Sequence, residues 1–136
     1  MKNPTTKTLK RQLWETLSLY IRLRDSDERG YASCISCGVV KPYKEMHAGH
    51  FIPKNKGLAI YYEEDNCHAQ CYMCNVRHHG NLYDYGKALE DKIGEQRIKE
   101  LKALSKTTKK FTLAEFQAMI DYYREETDRL RKNKLL

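Results

Sequence analysis

The chain has 136 residues, a length that suits one domain of modest size. Lys and Arg outnumber Asp and Glu by 25 to 18, and the formal net charge of +7 points first to a polyanionic partner, most often nucleic acid. No apolar run approaches the roughly 20 residues of a membrane span, and the first ten residues hold no apolar targeting segment, so the expectation is an intracellular, cytoplasmic protein without membrane contact.

In chain order, Thr5 to about Arg24 reads as an amphipathic helix. Leu9, Leu13, Leu17 and Tyr20 recur at helical spacing, and Trp14, Ile21 and Leu23 broaden the apolar face. Asp25, Ser26, Asp27 and Gly30 end it. From Tyr31 to Asn81 no helical period is sustained. Glycines and prolines punctuate short β-like pieces, and the reading is two short strands followed by a short helix starting near Cys71.

From Asn81 onward Leu82, Tyr85, Leu89 and Ile93 predict a helix, Gly94 a break, and Ile98, Leu101 and Leu104 a second helix. Ser105 to Lys110 is a polar, basic loop. Thr112 and Glu115 form a capping-box signature that opens the last helix. Its apolar set is Phe116, Met119, Ile120 and Tyr123, and the basic tail from Arg129 to Lys134 is expected to fray. The expected class is α+β, mainly α: an N-terminal helix (1–29), a cysteine- and histidine-rich core (30–81) and a helical region packed on it (82–136), one domain overall.

The chemistry is concentrated in the core, which holds all five cysteines and all five histidines. Cys34 and Cys37 form one C-x-x-C pair, Cys71 and Cys74 another. Two residues between cysteines let both thiolates turn toward one ion, and two such knuckles complete the tetrahedron that zinc accepts. In a reducing compartment this reads as a structural Zn2+ site and not as disulfides. A closed four-thiolate site has no open position, so this zinc stabilises and does not catalyse. Cys67 is the spare, expected as a small buried residue.

Zinc does not account for His50, Asn66 and Asn75. A histidine on a strand facing an asparagine on a helix can hold a metal-bound phosphate between them. The histidine is the best water activator near neutral pH, and an amide oxygen suits Mg2+.

The arrangement Cys34-Ile-Ser-Cys37, Gly49-His50, Asn66, Cys71-Tyr-Met-Cys74-Asn75 resembles the HNH (His-Me finger, ββα-metal) endonucleases. More narrowly, "CISCG", "AGHF" and "CYMCN" with the following "GNL" are similar to the NinG/Rap recombination endonucleases of lambdoid phages. The resemblance implies a zinc-stapled ββα-metal core at residues 30–81, inside the host cell of a phage or prophage. It implies a phosphodiester hydrolase in which His50 is the general base, Asn75 the helix-borne ligand of a catalytic Mg2+ or Mn2+, and Asn66 the brace of the loop. It also implies branched DNA, Holliday junctions and D-loops, as substrate. Resolving a four-way junction symmetrically takes two cuts, which would suit a homodimer.

One departure stands out. Many HNH enzymes carry Asp directly before the catalytic histidine as a second metal ligand, and this chain has Gly49. His47 and His78 are the alternatives. On a regular strand His47 faces away from His50, so it would need a bulge at Gly49. His78 shares a helix face with Asn75. Lys54, Lys56 and Arg77 lie where a DNA backbone would pass, and Lys106, Lys109 and Lys110 form a second basic cluster. His68 and His79 read as surface or DNA-facing residues. The competing readings are a non-catalytic zinc module that binds nucleic acid or protein, and a general HNH nicking or restriction nuclease.

Overall fold

A computed structural model describes residues 3–136, except for the side chain of Lys54. Helix α1 (Thr6–Arg24) starts where Thr5, in extended conformation, accepts a hydrogen bond from the Thr8 N–H. Its stripe Leu9, Leu13, Leu17 and Ile21 is fully buried. Two antiparallel hairpins follow. The strand β1 (Tyr31–Ser33) pairs with β2 (Val40–Pro42), and β3 (His47–His50) pairs with β4 (Cys67–Gln70). The core therefore has four short strands in two separate sheets, where the sequence suggested two strands. The first hairpin frames the first cysteine knuckle; the second carries the histidines.

Between β3 and β4 the chain makes a compact loop containing the one-turn helix α2 (Leu58–Tyr61). After β4 comes a π-helical turn, Met73–Arg77, marked by the bond from the His78 N–H to the Met73 carbonyl. Helices α3 (Leu82–Ile93) and α4 (Glu95–Leu104) are separated at Gly94, and α5 (Leu113–Lys134) closes the chain. The capping box at Thr112 and Glu115 is complete, with reciprocal bonds of 3.1 and 3.0 Å.

The main hydrophobic cluster draws on all three segments: the α1 leucines, Ala48, Tyr62 and Cys67 from the core, and Phe116, Ile120 and Tyr123 from α5. A second cluster packs Ile52 and Ile60 against Tyr85, Leu89, Ile98 and Leu101. The α5 tail does not fray. Lys134 reaches back to donate hydrogen bonds of 2.6 Å to the carbonyls of Leu23 and Ser26, neutralising the C-terminal end of α1.

Asp25 fastens α1 to the site hairpin. Its buried carboxylate accepts two bonds from Arg24 and one from the Ala69 N–H at 2.7 Å. Burial alone would raise its pKa, but the Arg24 hydrogen bonds and charge hold it below the ordinary carboxylate value. Arg24 also donates to the carbonyls of Glu64 and Cys67.

His68 is not a surface residue. It is 2% exposed in β4, every residue of which is buried. The Tyr85 hydroxyl donates to the Gly49 carbonyl at 2.7 Å and, having spent its hydrogen there, accepts from His68 Nδ1 at 3.3 Å. Helix α3 thus grips the middle of the β3–β4 hairpin.

Candidate functional site

The four knuckle cysteines converge. The sulfurs of Cys34, Cys37, Cys71 and Cys74 all lie within 4.8 Å of one another, and those of Cys37 and Cys71 are 3.7 Å apart. A zinc tetrahedron with bonds of about 2.3 Å sets its sulfurs about 3.8 Å apart, so the four residues can hold a zinc ion. The first knuckle turns on Gly38, whose φ of +82° places its N–H on the Cys34 carbonyl. In the second, the Cys74 N–H points at Cys71 Sγ and the Asn81 amide at Cys74 Sγ, both at 3.4 Å. These donors favour thiolates, as the second shell of a metal site does. Cys67 is completely buried and apart from the cluster, and burial pushes its thiol pKa far up.

The second knuckle runs directly into the π turn, and this positions Asn75. Its side-chain Nδ2 donates to His47 Nδ1 at 3.0 Å. His47 is the first residue of β3, which pairs residue for residue with β4 and contains no bulge. Strand residues two apart share a face, so His47 and Gly49 face the π turn. His50 has the opposite parity. It is sandwiched between the rings of Trp14 and Tyr61, each centroid 4.8 Å away, and its Nε2 lies 2.9 Å from the Tyr61 carbonyl oxygen. Of the two alternative ligands, His47 sits beside Asn75. His78 is exposed just past the π turn, as are Arg77 and His79.

Asn66 is fully buried and stitches the loop that follows His50. Its Oδ1 accepts from the Ile52 N–H at 2.8 Å, and its Nδ2 donates to the carbonyls of Ile52 (3.0 Å) and Ile60 (3.2 Å). The Asn66 carbonyl also accepts from the Phe51 N–H. The backbone after His50 is therefore held by one side chain on two sides.

A crevice of about 240 Å³ opens beside His47 and Asn75, lined by these two with Trp14, Ser18, Arg22, Met46 and Ala48, and His50 and Asn66 are not in its lining. The amphipathic reading of α1 did not anticipate that its residues line the crevice. Trp14, Ser18 and Arg22 recur every four residues, and a polar pair extending an aromatic along one helix stripe is the signal that was available. Arg22 is held by the carbonyls of Ser18 and Tyr43, and burial lowers its pKa. Lys56 is exposed in the loop, as are Lys106, Lys109 and Lys110 near α5.

Gln70 was missed as well. It pairs with His47 across the hairpin and is fully buried. Its Nε2 donates to Ser36 Oγ at 2.9 Å and to the Gly80 carbonyl. Its Oε1 is buried with no hydrogen-bond partner among the described residues. An orphaned buried acceptor costs about 1–3 kcal/mol.

The family model described as Bacteriophage Lambda NinG protein matches residues 3–133. Proteins named ninG from Escherichia phage 933W and Escherichia phage lambda are each 28% identical over 124 residues, and that of Salmonella phage P22 is 29% identical over the same length. These matches cover 91% of this chain but 58–59% of the relatives. No solved structure matches the chain.

Proposed function

The chain belongs to the NinG family, and from that premise we propose that it is a metal-dependent DNA endonuclease of phage recombination with an HNH, ββα-metal site, selective for branched DNA. The observation that carries this reading is the juxtaposition of the β3–β4 hairpin and the π turn, with Asn75 against His47 and with Asn66 fastening the loop after His50. The relatives share the NinG name and are longer than this chain, so activity and substrate are inferences from the site.

Asn75 would offer its amide oxygen to a hard divalent cation, while its Nδ2 donates to His47 Nδ1 and so orients the side chain. A bound Mg2+ or Mn2+ stabilises the crowded phosphate and the leaving oxygen. His50 is the general base of this reading. A carbonyl oxygen only accepts, so the Tyr61 contact assigns a ring proton to Nε2. His50 takes a proton from water as the water oxygen attacks phosphorus. The P–O3′ bond breaks and the leaving 3′ oxygen takes a proton from solvent, giving 3′-hydroxyl and 5′-phosphate ends. Arg22, aimed into the crevice, is suited to a non-bridging phosphate oxygen.

Basic residues Lys56 and Arg77, together with exposed Tyr72, Met73 and Val76 around the π turn, offer backbone contacts and apolar faces without a base-reading helix. That mixture favours DNA shape over sequence. The alternative, a zinc module that binds nucleic acid without cutting it, draws on the enclosure of His50 between Trp14 and Tyr61.

The two readings part in one assay. A four-way junction is incubated with the wild type and with His50→Ala in Mg2+, with linear duplex as competitor. The endonuclease reading expects cleavage only by the wild type, with junction binding retained by the variant when no Mg2+ is added. Cleavage by a folded His50→Ala at the wild-type rate would overturn the general-base role. Absence of any wild-type cleavage in Mg2+ or Mn2+ would favour the binding module.

A further inference from the structure

Trp14 lines a second depression besides the crevice. This groove, of about 330 Å³, is bounded by Lys10, Arg11, Trp14, Leu58, Tyr61 and Tyr62. Its volume lies at the small end of ligand sites, which run from about 300 to 1,000 Å³. The groove and the crevice beside His47 and Asn75 therefore adjoin at one indole.

The groove is built from rings. Tyr62 is buried, and its hydroxyl donates to the Lys10 carbonyl at 3.4 Å. Tyr61 stands edge-on to Tyr62, with centroids 4.6 Å apart, and packs against Trp14 at 5.2 Å. Leu58 and Tyr61 belong to α2, whose Ile60 carbonyl is held by the Asn66 amide. The walls are thus in place before anything binds.

Cations stand at both ends. Lys10 and Arg11 lie one helical turn before Trp14 on α1, and Arg22 lies two turns after it, in the crevice. At 1.5 Å per residue, Lys10 and Arg22 are about 18 Å apart along the helix. The ion pair of Arg11 with Glu15, exposed and 4.0 Å long, is weak enough for a phosphate to displace. A strand laid along α1 meets cation, aromatic groove, cation. That is the composition that takes single-stranded nucleic acid: bases stack on the rings and the charges track the backbone. A peptide would find the same apolar walls, but the cations and the adjoining crevice favour a nucleotide.

Resting on the DNA-cleaving reading above, we propose that this groove captures one unpaired nucleobase of the strand bound in the crevice beside His47 and Asn75. The base packs on Trp14 and Tyr61, whose rings also contact His50. Lys10 and Arg11 take the phosphates beyond it. A paired duplex must unstack to offer such a base, whereas a branch or flap presents one. Selectivity for branched DNA then comes from stacking, which every base supplies, and not from reading base edges.

The test uses the zinc-loaded full chain without added Mg2+, so that binding is read without cleavage. The probe is a duplex with a single-stranded flap, in which the fluorescent base 2-aminopurine is moved one position at a time. Quenching by stacking is expected at one or two positions beside the branch. An abasic residue there is expected to weaken binding by about 5-fold to 100-fold, and to leave Trp14 emission unquenched where the intact flap quenches it. Leu58→Glu puts a negative charge in the groove. It is expected to bind intact and abasic flaps equally, with zinc content and circular dichroism unchanged.

Equal binding of the two flaps by the wild type, with no quenched position, would overturn the base site and leave DNA binding standing. A folded Leu58→Glu that keeps the wild-type preference would overturn it too, because the base is then held elsewhere. If Leu58→Glu does not fold, Trp14 emission decides: equal quenching by intact and abasic flaps rejects the proposal. If the wild type binds no flap at all, the DNA-cleaving reading falls with it.

Discussion

The indole of Trp14 stacks on the imidazole of His50 with ring centroids 4.8 Å apart and planes 24° from parallel. The chain has one tryptophan, so tryptophan emission, excited selectively over the tyrosines, reports on Trp14 alone. His50→Ala is expected to change the emission intensity while leaving circular dichroism unaltered. Junction DNA is expected to change it in the wild type, because Trp14 also lines the crevice. Emission indifferent to both would mean that α1 does not cover the site in solution.

Asn66 supplies the loop with bonds that no neighbour can replace. Asn66→Ala leaves one N–H and two carbonyls in a buried setting without their partner. The expected loss is about 3 kcal/mol or more, since each abandoned group costs on the order of 1–3 kcal/mol. Urea unfolding measures it. A loss below about 1 kcal/mol would show that water reaches these groups and that the loop is not held as described.

Stability should depend on pH through His68. Burial, with Arg24 adding to it, lowers its pKa from 6.5 to about 4. The unfolded chain takes up a proton below about pH 6.5 and the folded chain resists until about pH 4, so the unfolded state binds more protons in that window. Stability is therefore full above pH 6.5 and falls as pH drops toward 4, by up to roughly 3 kcal/mol. His68→Gln should flatten this part of the profile in urea titrations at pH 5 and pH 7. A variant with the same slope as the wild type would assign the pH dependence to other groups.

Zinc should be required for folding. Chelation, or Cys37→Ser, is expected to abolish the cooperative thermal transition, because two hairpins this short do not hold themselves. Cys67→Ala is expected to keep one zinc per chain. Stoichiometric zinc lost from Cys67→Ala, or retained after Cys37→Ser, would contradict the four-cysteine assignment.

What the sequence made legible was local. The helix stripe of α1, the capping box at Thr112 and Glu115, the break at Gly94 and the two cysteine knuckles each rest on spacings within a few residues. His68 was misread because β4 is buried on both faces, which removes the alternation that separates inside from outside. The tail was misread because Lys134 is held by carbonyls 108 and 111 residues away. Gln70 was invisible for a related reason: its buried amide is held by Ser36 and Gly80, and no linear pattern encodes that. The side for His47 was anticipated from strand parity. Its meeting with Asn75 needed no bulge, because the π turn lies on that same side.

Lys134 and the α1–α5 packing carry a consequence for synthesis on the ribosome. The apolar stripe of α1 emerges well before its partners Phe116, Ile120 and Tyr123. The zinc hairpins leave the exit tunnel in between, so they are expected to close on metal while α1 is still uncovered. Nascent chains arrested before residue 113 should bind zinc yet remain open to protease at Leu9 to Ile21. Chains extended past Lys134 should resist it, because the end of α5 latches the end of α1.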